Sequence, residues 1–169
     1  MKLNLTLVVA GIGLLVAGCA SQQGMVLEAV GPGPAAAVNA DTANGTLVVY
    51  SAAVTTPDFN SRDPRRPEYT GYQIFNTDGS LRQTVQNTSD TILQRPRRVE
   101  LPPGTYRVAA VANGYGLVTV PVRIEAGRDT LVHLEGGFAW PGRTTFSQSN
   151  TVRLPDGDVV GWKSEAAGK

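Results

Sequence analysis

Thr105-Tyr-Arg-Val-Ala-Ala-Val111 and Leu117-Val-Thr-Val-Pro-Val-Arg-Ile-Glu125, joined through Asn113-Gly114, decide the fold. In the first stretch Tyr106, Val108 and Ala110 alternate with Arg107 and Ala109. In the second, Val118, Val120, Val122 and Ile124 alternate with Thr119, Pro121 and Arg123. A side-chain period of two puts each apolar set on one face of a strand. Asn-Gly is the strongest short hairpin signal, because both residues tolerate positive φ. Two half-buried antiparallel strands follow. Pro121 has no N–H to give, so its strand is expected at a sheet edge or beside a local irregularity.

Outward from this hairpin the same pattern repeats. Thr46-Leu-Val-Val-Tyr50 is a β-branched run behind Asn44-Gly45. Tyr72 to Phe75 and Leu81 to Val85 flank the turn residues Asn76-Thr-Asp-Gly79, which reads as a second hairpin. Arg97 to Leu101 precedes Pro102-Pro103-Gly104, whose Pro-Gly suits a type II turn into the Thr105 strand. Ala126-Gly-Arg128 turns into Thr130 to Glu135, where Val132 and Leu134 continue the apolar face. No stretch has sustained helical periodicity. The expectation is an all-β domain over residues 45–136, a single antiparallel Greek-key β-sandwich of about seven strands. Residues 137–169 hold Trp140-Pro-Gly142, Phe146 and a further hairpin candidate, Thr151 to Leu154 and Val159 to Trp162 around Pro155-Asp-Gly157. They are expected to pack on the sandwich.

Leu101-Pro-Pro-Gly-Thr-Tyr-Arg-Val108, the Asn113-Gly-Tyr115 return, Val122-Arg-Ile-Glu-Ala-Gly127 and Val132-His-Leu134 together resemble the carboxypeptidase-regulatory-like, or prealbumin-like, domains. The likeness covers residues 99–134 well and 45–98 loosely. It implies the sandwich fold, in a group of domains reused as spacers, adhesin modules and accessory domains, so function must come from the site.

The N-terminus is of another kind. Met1-Lys2 is followed by an apolar run of 13 residues, Leu5 to Ala17. That is short of the ~20 residues of a membrane-spanning helix and suits a signal-peptide core. Val16-Ala-Gly-Cys19 then resembles the lipobox of bacterial lipoproteins. The resemblance implies cleavage of residues 1–18, diacylglycerol on the Cys19 sulfur, and attachment to a membrane. Ala20-Ser21, with no Asp after the cysteine, resembles the outer-membrane sorting pattern, which implies an envelope protein facing the periplasm. Residues 19–44, rich in Ala, Gly, Pro, Gln and Asn, read as the lipidated cysteine and a flexible tether. Its r.m.s. reach is about 28 Å for about 25 flexible residues.

The chemical inventory is thin. The 169 residues hold one Cys and one His, so neither an internal disulfide nor a zinc site is expected. His133 alternates with Val132 and Leu134 and reads as a solvated strand residue. Hydroxyisourate hydrolases share a prealbumin-like fold but need more than one histidine. There is no Gly-x-Ser-x-Gly elbow, and no lysine between Gly45 and Gly161 for a Lys–Asn isopeptide bond. Asn76-Thr-Asp-Gly79 and Pro155-Asp-Gly-Asp158 lack the ligand count of a calcium loop and read as turns. Removal of residues 1–18 takes one basic residue and leaves 14 of each sign, so charge gives no case for nucleic-acid binding.

Two features stand out. Arg62, Arg65 and Arg66 lie in a Pro-broken loop, and Arg95, Arg97 and Arg98 surround Pro96. Guanidinium forks suit phosphate and carboxylate groups. Tyr69 and Tyr72 flank Gly71, and Tyr115 lies between Gly114 and Gly116; on loops such rings can stack on a sugar or anchor a partner. The expected protein is a non-catalytic envelope lipoprotein acting as an interaction module. It needs no cofactor, metal or nucleic acid, and has the membrane and an envelope protein as partners. The alternative is binding of anionic glycan or lipid headgroups through the arginines.

Overall fold

A computed structural model describes residues 24–34, 43–57, 65–87, 95–136 and 147–164, together with the backbone pairing of its strands. In chain order the strands are β1 (Met25–Val26), β2 (Val30–Gly31), β3 (Gly45–Tyr50), β4 (Ala53–Pro57), β5 (Arg65–Tyr69), β6 (Tyr72–Phe75) and β7 (Leu81–Val85). They continue as β8 (Arg98–Leu101), β9 (Gly104–Ala112), β10 (Gly116–Ile124), β11 (Asp129–His133), β12 (Thr151–Arg153) and β13 (Val159–Lys163).

The chain is all-β, with two principal sheets. One has eight strands in the order β12-β13-β2-β10-β9-β6-β7, with β1 also on β10; the other runs β11-β3-β8. The inward residues of both form one apolar cluster. Leu47, Val49, Val99, Leu101 and Val132 come from the small sheet, and Ile74, Val108, Ala110, Val118, Val120 and Val122 from the large one. β4 and β5 pair separately as a two-stranded sheet.

The central hairpin forms as its sequence demands. β9 and β10 pair over nine residues, from Gly116 opposite Ala112 to Ile124 opposite Gly104. Gly114 and Gly116 take φ of +81° and +76°, in the left-handed region that costs glycine least. Asn76–Ser80 and Pro155–Gly157 also turn as expected, each with a glycine at positive φ.

Several expectations are corrected. The sheets are mixed and not purely antiparallel, because β1 and β2 run parallel to β10 and β11 runs parallel to β3. Residues 24–34, expected as free tether, lie along β10. Val30 is fully buried, and the backbone there approaches so closely that a Cβ on Gly33 would strike the Trp162 ring. The apolar Val26, Leu27 and Val30 find an unpaired strand side, and backbone groups satisfied there outweigh tether entropy. The irregularity expected at Pro121 is in its partner. Thr119 O accepts from Leu27 N. The nitrogen of Pro121, two residues on, faces the same side, where pairing lapses between Val26 and Val30.

Pro102-Pro103 does not close a hairpin. β8 belongs to the small sheet and β9 to the large one, so the prolines arch between layers. Tyr106 Oη fixes that arch by donating to Pro102 O at 2.9 Å. Arg65 and Arg66 lie on β5, opposite Pro57 and Thr56, and not in a loop. The C-terminal hairpin β12–β13 extends the large sheet through β2, with Val152, Leu154 and Val160 in the common core.

Candidate functional site

The clearest side-chain constellation lies at the Tyr50 end of the small sheet. Val49 faces the core, so Tyr50 faces out, and the parallel register places His133 opposite it. The two rings stack, centroids 4.2 Å apart and 8° from parallel. Tyr69, from the base of the β4–β5 pair, meets Tyr50 edge-on at 5.7 Å and 82°. Beneath them His133 Nδ1 and Glu135 Oε1 stand 2.7 Å apart, with side-chain exposures of only 4% and 7%. Glu135 O also accepts from Asn113 Nδ2.

His133 is therefore not the solvated residue its alternation suggested. Val132 faces the core, and Tyr50 and Tyr69 cover the opposite face. Charge at this place is costly to remove from water unless paired. The phenols register the environment. Burial pushes the Tyr69 hydroxyl up to about 12, with Glu135 and Tyr50 adding to the effect. Burial and Glu135 raise that of Tyr50, against the opposing pull of Arg95 and Arg98.

A second network fixes the neighbouring segment. Asn87 is 1% exposed. Its Nδ2 donates to Val49 O at 2.8 Å and to Ser51 Oγ at 2.9 Å, and its Oδ1 accepts from Arg97 N at 3.0 Å. Ser51 Oγ donates onward to Thr70 O at 2.6 Å. One amide thus ties β3, the end of β7 and the segment before β8 together, using both its donors.

These contacts bring Tyr69 and the Arg95–Arg98 segment together around Tyr50. Arg95 and Arg97 are exposed, while Arg98 reaches across β3 to Asp129 at 2.7 Å. Arg66 and Arg65 stand three and four residues along β5 from Tyr69, roughly 10–13 Å away at strand spacing. Arg62 and Cys19 lie outside the described residues. Tyr115 is elsewhere, partly buried against the core, its Oη accepting from Asp156 N at 3.0 Å.

The imidazole–carboxylate pair has the form of a base with its orienting group, but the tyrosines roof it, and a substrate would have to displace them. A cleft of about 590 Å³ lies between the N-terminal segment and the C-terminal hairpin, lined in part by Pro32, Pro34, Asn150 and Trp162. Its cations are engaged within the protein: Arg128 with Glu125 at 2.6 Å and Gly33 O at 2.9 Å, Lys163 with Glu28 at 2.9 Å. Among the described residues no three His, Cys, Asp or Glu side chains gather as a metal site. Comparison with protein-family models, with curated proteins and with solved structures finds no match to this chain.

Proposed function

We propose that this chain is a lipid-anchored envelope protein whose β domain, a prealbumin-like sandwich, is a non-catalytic interaction module, on the outer membrane and facing the periplasm. The observation that carries this reading is Val16-Ala-Gly-Cys19 directly behind an apolar run of signal-peptide length. Acylation there would attach the domain durably only with more than one chain, since a single acyl group binds reversibly. In this reading the domain holds a partner close to its membrane, and the Tyr50–Tyr69–Arg95 corner, aromatic and cationic at once, is the surface it offers.

Cys19→Ala is expected to abolish incorporation of labelled fatty acid into the protein and to block removal of residues 1–18. A variant that remains processed and membrane-bound would sink the proposal. In-cell crosslinking of the wild-type chain, with mass spectrometry, then identifies the partner.

A second reading, capture of an anionic glycan or lipid headgroup, is favoured by exposed Arg95 and Arg98, whose charges reach Tyr50. Replacing Arg62, Arg65, Arg66, Arg95, Arg97 and Arg98 with Gln should then abolish retention on envelope glycan or anionic lipid. Unchanged retention excludes it.

A further inference from the structure

We infer that the outer face of the eight-stranded sheet lies on the bilayer that carries the Cys19 lipid. This rests on the lipid anchor proposed above. Val118, Val120, Val122, Val108 and Ala110 are buried in the core, so Leu117, Thr119, Pro121, Ala109 and Val111 face the other way. The register sets Leu117 opposite Val111, and Val26 beside Thr119 and Ala109 in one row. Leu117 is 49% exposed, Val26 70% and Val111 37%, and Leu81, at 53%, belongs to the same sheet; Met25, level with the buried Val118, is on the other face. A contiguous apolar sheet face of this kind marks an interaction surface.

Two observations select a lipid surface as its occupant. The first is where the chain joins the sheet. Gly24 is pressed against Leu117, whose carbonyl oxygen would lie 2.5 Å from any Cβ there. Gly24 is five residues on from Cys19, a reach of at most about 18 Å even when fully extended. A lipid on Cys19 therefore holds this apolar row next to the headgroups, well inside the reach that a free tether to residue 44 would allow. The second is charge. β1, β6, β7, β9 and β10 contain no Asp or Glu; their charged residues are Arg82, Arg107 and Arg123. Interfacial binding grows with apolar area and with cationic attraction to anionic lipid; Arg107 and Arg123 share the outer face with Leu117 and Val111, Arg123 standing 3.5 Å from Glu125, while Arg82 lies over the Tyr106 ring on the other side.

The test uses the lipidated chain, whose single cysteine is blocked by its own lipid. A cysteine introduced by Leu117→Cys, by Val111→Cys, or by Glu100→Cys on the outer face of the small sheet then carries the only environment-sensitive fluorophore. Each protein is reconstituted into phosphatidylethanolamine–phosphatidylglycerol vesicles containing doxyl-labelled lipid. Loss of emission is expected at positions 117 and 111, with emission at 100 unchanged. Unquenched probes at 117 and 111 on chains that still pellet with the vesicles overturn the inference and leave the anchor intact. Quenching at 100 instead reverses the orientation and overturns it too. Chains that fail to pellet at all remove the anchor reading, and this inference with it. Shielding of 117 in native membranes without quenching in vesicles assigns the face to a protein partner and likewise overturns it.

Discussion

At the residue scale the Tyr50–Tyr69–His133–Glu135 cluster shows how one covering side chain changes its neighbours' chemistry. Tyr69 is neutral and its hydroxyl is pushed up to about 12, chiefly because burial penalises the phenolate. The unfolded chain releases that proton near pH 10, while the folded chain keeps it to about 12. Between those values the unfolded state binds fewer protons, so stability falls as pH rises. The contribution is whole below pH 10 and lost as pH passes 12. Tyr69→Phe has no proton to lose, and its alkaline denaturation curve is expected to be flatter than that of the wild type. Equal slopes from pH 9 to 12 would mean that Tyr69 is solvated. His133 itself was not legible as a buried residue. Alternation identifies which face of a strand a side chain occupies, and here the second face is covered by the Tyr50 ring, backed in turn by Tyr69, both from strands far away in sequence.

At the scale of the element, what could be read was what is local. The Asn113-Gly114 and Asn76–Gly79 turns carry their own φ preferences, and the strands beside them need only their pattern. β1, β2, β4 and β5 were missed because none has a pattern of its own. Two residues of β2 become a strand only between β10 and β13, and the arginines of β5 mask a pairing made through backbone groups. Pro102-Pro103 was legible as a break but not as a passage between sheets, since a turn and an arch share the same residues. The candidate site followed the same divide. Arg95, Arg97 and Arg98 were visible as charge, whereas the Asn87 amide that holds them has no signature in the sequence. Whether residues 24–34 belong to the sheet can be decided directly. Val30 is fully buried and Gly161 lies against it, with only 2.5 Å between an added Cβ and the Val30 side chain. Val30→Ala should cost about 2 kcal/mol from lost apolar burial. Gly161→Ala should cost about 1–3 kcal/mol from overpacking. Denaturant titration of both variants, with proteolysis of residues 20–34 as a second readout, is the check; a tether would leave both neutral.

At the scale of the whole molecule the first and last described segments of the chain meet. Val30 pairs with Lys163 and Gly31 with Trp162, while the β9–β10 hairpin at the centre closes over three loop residues. Closing a short loop costs little entropy, whereas pairing opposite ends of the chain requires the intervening strands to be in place first. The central hairpin is therefore expected in the folding transition state and the β2–β13 seam after it. Both sheets share one core, which favours a single cooperative transition. Within it, Val108→Ala and Val120→Ala should slow folding, while Val30→Ala and Val160→Ala should leave the folding rate near that of the wild type and speed unfolding. Stopped-flow refolding and unfolding of the four variants distinguishes the two groups. A slowed folding limb for Val30→Ala would place the seam in the nucleus and reverse the order. The assignment also bears on the membrane. A seam that forms last is the first to open, and it lies a few residues from Gly24, where the chain leaves the sheet towards Cys19. Under the lipid attachment proposed above, pull on the chain would then be felt first at β1 and β2, and the central hairpin with its apolar outer face would keep its shape while they yield.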